Sequence, residues 1–195
     1  LETVVEIAHE RDVPVIVDAA AELPPKTNLE TFIDRGADLV AFSGGKAIRG
    51  PQASGFLAGR EDLIRSVALQ HLDMHAAFDA WEPPEELVDT EALAGVPRQG
   101  IGRSMKVGKE EIVGLIRALE LFVKEDDGAV LEAWDERALA VAQGLNEHDL
   151  LAVDITAGDK TDAVTQVVVA LDEEAAGEDA ADFVSRLRRE NPRIF

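Results

Sequence analysis

The chain has 195 residues, 46 % of them hydrophobic, with 39 Asp and Glu against 19 Lys and Arg, a net charge of −20. That is enough apolar material for a core, so disorder by composition is excluded, and no apolar run approaches the roughly 20 residues of a membrane-spanning helix. With no cysteine there is no disulfide framework, thiolate metal site or cysteine nucleophile, and the scattered acidity disfavours nucleic-acid binding, which needs basic patches.

Acidic residues run through every predicted helix instead of forming one tail. Such a surface repels itself at low salt and is screened at high salt, so we read it as adaptation to a salt-rich cytoplasm, that of a halophilic archaeon. Leu1 to Glu10 carries no positive n-region or cleavage pattern, which argues against a signal peptide, and the absence of cysteine fits a reducing cytoplasm. The chain opens without Met inside a running amphipathic pattern, so a fragment is expected.

In chain order, residues 1–11 read as the end of a helix and 13–18 as a wholly apolar strand, the type that parallel sheets cover on both faces. Leu23-Pro24-Pro25 breaks the chain, Asn28 is placed to cap a helix over 29–35, and Gly36 ends it. A second strand over 37–42 runs into Ser43-Gly44-Gly45-Lys46, and a short strand over 54–58 returns. A helix is expected over 60–79, then a glycine- and proline-bearing loop. A long helix over 107–125 follows, its apolar face made by Ile112, Leu115, Ile116, Leu119 and Phe122. Asp126-Asp127-Gly128 marks a boundary. Beyond it we expect a helix over 130–145, strands over 150–156 and 164–171, and a helix over 175–189. This alternation is an α/β layout: 1–125 as one domain with its linking helix, and 126–195 as a smaller α/β domain, incomplete at Phe195.

The chemistry gathers at two predicted strand ends. Asp18 follows Val-Ile-Val, where an unpaired buried carboxylate would be costly; it either caps an Asx-turn or neutralises a cation. Lys46, one of only six lysines, follows two glycines that permit close approach and unusual backbone angles. A lysine and a carboxylate at neighbouring strand ends suit pyridoxal 5'-phosphate (PLP), the lysine forming a Schiff base and the carboxylate keeping the pyridinium proton. A solvated loop lysine is the plain alternative. Ser43-x-x-Lys46 also fits a serine-nucleophile site of the penicilloyl type, which requires Lys-Thr-Gly elsewhere; the nearest match is Lys160-Thr161-Asp162. Arg49, Gln52, Arg98, Arg103 and Lys106 are candidates for substrate anions, because arginine offers a planar fork to carboxylate or phosphate. His71-x-x-x-His75 with Asp73 has metal-ligand spacing on a helix but no evident third ligand, so no metal is expected.

These segments resemble fold-type-I PLP enzymes, the aspartate-aminotransferase-like transferases. Within them they resemble the group of selenocysteine synthase (L-seryl-tRNA(Sec) selenium transferase) and the D-glucosaminate-6-phosphate ammonia-lyase-like proteins. The likeness rests on Val17-Asp18-Ala19-Ala20-Ala21-Glu22, Phe42-Ser43-Gly44-Gly45-Lys46-Ala47-Ile48-Arg49-Gly50-Pro51-Gln52, Gln70-x-x-Asp73-Met74 and Gly100-Ile-Gly-Arg103-Ser-Met-Lys106-Val-Gly-Lys109. It implies Lys46 as the Schiff-base lysine, Asp18 on the ring nitrogen, Ser43 near the phosphate and Ala20 against the ring. It further implies a homo-oligomer acting on an amino acid or amino sugar acid by α,β-elimination. Selenium transfer onto seryl-tRNA, aminotransferase or aldolase chemistry, and a non-catalytic relative are the alternatives, tRNA being a partner only in the first. The resemblance also implies that the main phosphate-cradling loop of such enzymes precedes this chain's first residue.

Overall fold

The computed structural model describes residues 1–156, 164–190 and 192. The Lys160-Thr161-Asp162 triplet and Phe195 lie outside the described residues. Two compact units divide the chain, residues 1–125 and 126–195. Both mix helices and strands, and among the described residues no helix is long and apolar enough to cross a membrane.

In the first unit α1 (Glu2–His9) leads to β1 (Ile16–Asp18), α2 (Asn28–Asp34) to β2 (Leu39–Ser43), and β2 to β3 (Gly55–Gly59). The sheet order is β1-β2-β3, with β1 and β2 parallel and β3 antiparallel to β2. The first apolar run is hydrogen-bonded as a strand only over its last three residues. Asn28 does not cap α2: its amide donates instead to the Glu22 carbonyl at 2.7 Å, and Thr27 holds the N-cap position. Gly36, at φ +94°, does end that helix, a left-handed position that favours glycine.

One face of this sheet is the core. Val40 and Phe42, 0 % and 3 % exposed, carry the cluster with Ala19, Leu23, Ile48, Leu115 and Phe122. Leu29, Phe32 and Ile33 of α2 pack on it from the side, and Phe42 stacks on its register partner Phe56 with ring centroids 5.1 Å apart.

The expected helix over 60–79 stops early, as α3 (Glu61–Gln70). The carbonyls that would continue it are taken by a distant segment: Gly102 N–H donates to Gln70 at 2.9 Å and Gly100 N–H to Leu72 at 3.0 Å, while Met74 N–H donates to Pro97 at 2.8 Å. A Cβ at Gly100 would lie 2.2 Å from the Gln70 oxygen, so this docking requires glycine. Because the helix ends at Gln70, His71 and His75 do not share a helical face.

The long helix is α4 (Lys109–Phe122). Its inward stripe is Leu115, Ala118, Leu119 and Phe122, while Ile112 and Ile116 are exposed. The apolar arc is broader than the stripe this unit covers.

The second unit starts at α5 (Asp127–Leu145), earlier than the apolar pattern suggested, because the Asp126 side chain accepts from the Gly128 and Ala129 N–H groups. Then β4 (Leu151–Thr156) pairs antiparallel with β5 (Gln166–Leu171). The single helix expected over 175–189 is two, α6 (Glu173–Ala176) and α7 (Ala180–Leu187), divided by Gly177 at φ +71°. Asp172 and Asp179 cap them.

Candidate active site

Parallel pairing brings the C-terminal ends of β1 and β2 to one edge of the sheet, where ligands of open α/β folds bind. Asp18 is the last residue of β1 and pairs with Ala41; Ser43 is the last of β2, two residues further along the same face. That face is opposite the Val40–Phe42 core face, and it is open at the edge strand, where Ile16 is 65 % exposed. The Asp18 carboxylate is exposed. Its Oδ1 accepts from the Ala20 N–H at 3.0 Å, the Asx-turn anticipated as one reading of this residue, and no hydrogen bond occupies Oδ2 among the described residues. One oxygen therefore shapes the turn and the other faces outward. Ala20 is half-buried in the turn, behind fully buried Ala19.

Residues 44–54 join Ser43 to Gly55, its register partner on β3. The loop is closed at its base by Gly44 N–H to the Ser54 carbonyl, 2.9 Å, and Gly50 N–H to the Gly44 carbonyl, 2.7 Å. Gly44 has no room for a side chain: a Cβ would come within 2.3 Å of Ser54 Oγ and 2.6 Å of Leu115 Cδ1. Ile48, 1 % exposed, plugs the loop into the core. Lys46 stands exposed on the turn, its amine without hydrogen bond or ion pair among the described residues, while its carbonyl accepts from the Arg49 N–H at 2.8 Å.

The strand register thus sets Asp18 and Ser43 at one edge of the sheet, with Ala20 in the turn after β1 and Lys46 in the turn after β2. The other expected residues are placed differently. The Arg49 guanidinium turns to the Glu125 carboxylate. Gln52 folds back on Gly45, where a Cβ would lie 2.7 Å from the Gln52 Cα and Oε1. Arg103 sits in the 3-10 turn Arg103–Met105 and is exposed, with no side-chain hydrogen bond to the strand-end residues among those described. Arg98 and Lys106 are also exposed. Among the described residues no group of three His, Cys, Asp or Glu could hold a metal ion.

A polar centre that the sequence did not single out lies at the opposite edge. Asp38, 6 % exposed, accepts from His9 Nε2 at 2.7 Å, Val15 N–H at 2.7 Å and Arg60 at 2.9 Å. Burial would raise its pKa, but the bonds from Arg60, Val15 and His9 outweigh that and hold the carboxyl well below the usual carboxylate range. It ties α1, β1 and the exit of β3 to the start of β2. An aspartate opening an apolar strand, Asp38-Leu-Val-Ala-Phe, was the signal available in the sequence.

Similarity to known proteins covers both units of the chain. Residues 1–79 match the family model described as "SelA: L-seryl-tRNA selenium transferase". The chain is 32 % identical over 197 residues to a 5'-C-glycyluridine monooxygenase-decarboxylase of a Streptomyces species, covering all of this chain and 41 % of the relative. It is 31 % identical over 184 residues to the D-glucosaminate-6-phosphate ammonia lyase of Salmonella typhimurium, covering 94 % and 40 %. A shorter match, 42 % identical over 67 residues, covers 33 % of this chain and 18 % of a pyridoxal phosphate-dependent protein of Methanothermobacter thermautotrophicus. A solved structure of D-glucosaminate-6-phosphate ammonia-lyase aligns with a TM-score of 0.60 at 27 % identity, covering 97 % of this chain and 42 % of that one. The chain therefore spans about two fifths of the length of these relatives. The matches support a group of PLP-type enzymes that includes lyases and selenium transferases.

Proposed function

We propose that this chain carries the cofactor-attaching part of a PLP-dependent enzyme that acts on an amino acid or amino sugar acid by α,β-elimination. The observation that carries the reading is the pairing of Asp18 with Ala41 in parallel register, which sets an exposed carboxylate beside the strand that ends in Ser43 and runs into the turn bearing Lys46. The donor set fits the group: one exposed amine without a partner among the described residues, one exposed carboxylate with one oxygen outside the Asx-turn, and one hydroxyl, carried at or just after neighbouring strand ends. Residues 1–125 are the C-terminal part of the cofactor-binding domain in this reading, and 126–195 the small domain.

Bound there, the cofactor supplies an aldehyde for Lys46 and an electron-withdrawing ring for a substrate α-carbon. Asp18 holds the proton on the ring nitrogen, because its negative charge favours the protonated form. Lys46 would hold the group through Nζ and would serve as the base for the α-proton. Ser43 would offer its hydroxyl to the phosphate of the group. A homo-oligomer in a salt-rich cytoplasm completes the proposal.

The ammonia-lyase reading is favoured over selenium transfer by extent: the lyase match runs along 94 % of the chain, the selenium-transferase family model over residues 1–79. The acidic surface also gives tRNA little to bind. The test is a PLP titration in molar KCl, then borohydride reduction and peptide mass mapping, with Lys46→Ala alongside. An absorbance band lost in the variant, with reduced cofactor on Lys46, supports the reading; reduced cofactor elsewhere, or none on the folded wild-type protein, sinks it. Ammonia and a 2-oxo acid released without oxygen uptake would mark elimination, whereas oxygen uptake with carbon dioxide release would mark chemistry of the monooxygenase-decarboxylase kind.

A further inference from the structure

The segments that follow the two strand-end residues finish on the same short stretch of chain. Lys26, eight residues past Asp18, donates its ammonium to the Val123 carbonyl at 3.4 Å and to the Glu125 carbonyl. Arg49, three residues past Lys46, donates its guanidinium to the Glu125 carboxylate. The stretch just after α4 therefore holds both segments.

Arg49 reaches Glu125 from a left-handed backbone, φ +60°. Glycine adopts that conformation freely, whereas a residue with a Cβ is strained in it. Strain of this kind points to a use for the side chain. Stability alone does not supply one, since the pair is solvent-facing, with Arg49 63 % and Glu125 30 % exposed, and such ion pairs contribute little. What the pair does is orient. Arg49 N–H fixes the Lys46 carbonyl, Ile48 pins the loop between them, and Gly50 N–H closes on Gly44. The anchored guanidinium therefore holds the end of the same turn that carries Lys46.

We propose that Arg49 and Glu125 are positioning residues that orient Lys46, with Arg49 held in its left-handed conformation for that purpose. This rests on the assignment of Lys46 as the cofactor-attaching lysine. The variants are Arg49→Gly, which removes guanidinium and strain together, Arg49→Lys, Glu125→Gln and the Arg49→Gly/Glu125→Gln double. The readouts are melting temperature, PLP affinity, the borohydride-trapped fraction on Lys46, and hydrogen exchange at the Gly44 and Gly50 amides without PLP. We expect Arg49→Gly to melt at or above the wild-type temperature, yet to bind PLP about tenfold more weakly and exchange Gly50 faster. Glu125→Gln should show the same loss, the double variant no more than either single, and Arg49→Lys a partial recovery.

Wild-type affinity and trapping in Arg49→Gly overturn the proposal, as do losses that add in the double variant, or a lowered melting temperature that tracks the loss of cofactor. If the wild-type protein traps nothing on Lys46, the parent assignment fails and this role with it. Exchange at Gly44 and Gly50 still separates the two failures, because unchanged exchange in Arg49→Gly disproves the clamp on its own.

Discussion

Asp18 and Ser43 share one face of a parallel strand pair, Asp18 opposite Ala41 and Ser43 the next residue along that face. Neighbours at this position are set by register, since a slip of one residue would turn either side chain to the Val40–Phe42 core face. The carboxylate must also satisfy two demands, shaping the turn to Ala20 with one oxygen and presenting the other. This separates two substitutions that are often treated as equivalent.

Asp18→Asn keeps an oxygen for the Ala20 N–H and so keeps the Asx-turn, but it removes the charge. We expect a melting temperature near wild type with turnover reduced about a hundredfold, ~2.7 kcal/mol of barrier. Asp18→Ala should lose both. Melting curves together with steady-state rates on the two variants check this; equal rates in Asp18→Asn and wild type would remove Asp18 from the chemistry.

Gly44 lies where a Cβ meets Ser54 Oγ and Leu115 Cδ1. Gly44→Ala should destabilise the protein by about 1–3 kcal/mol, through overpacking between the loop and α4. Ile48→Ala should cost about 2–4 kcal/mol through the opposite fault, a cavity beneath the loop. Urea unfolding of both variants reads the two effects, and a cost below ~0.5 kcal/mol for Ile48→Ala would contradict its place in the core.

Asp38 sets an acid limit. Its carboxyl is held below the usual range, so the folded state favours the ionised form more than the unfolded chain does, where an Asp titrates near 3.9. The contribution is present above the unfolded value and is lost as pH falls from about 4 towards the folded value. Asp38→Ala should cost about 1–3 kcal/mol at neutral pH, by leaving the Val15 N–H without its acceptor, with the solvated Arg60 adding little. It should also flatten the loss of stability between roughly pH 4 and 2, read by unfolding free energy across that window.

The charge of −20 makes ionic strength a stability variable. At about 0.1 M salt the Debye length is roughly 10 Å and neighbouring carboxylates repel; at 1 M it is about 3 Å. We expect the melting temperature to rise steadily as KCl is raised from about 0.1 to 2 M. A flat response would mean that the acidic residues are too far apart to interact and would remove the halophilic reading.

Composition and local pattern determined a good deal of this protein. The apolar strand before Asp18, the glycine stop at Gly36, the Ser43-Gly44-Gly45-Lys46 turn and the returning strand were legible, because each is written in neighbouring residues through apolar runs, backbone freedom and capping chemistry. What depends on distant residues was not. The helix after Arg60 ends at Gln70 because Gly100 and Gly102 capture its last carbonyls, from some thirty positions away in sequence. Ile112 and Ile116 stay exposed because burial is decided by what lies across a helix, which apolar spacing cannot report. Arg49 looked available for an anion until the fold set Glu125 beside it. The chain specifies its own turns and strands, but hydrogen-bond and charge partners far apart in sequence are chosen only when packing brings them within a few ångströms, the range over which such bonds act.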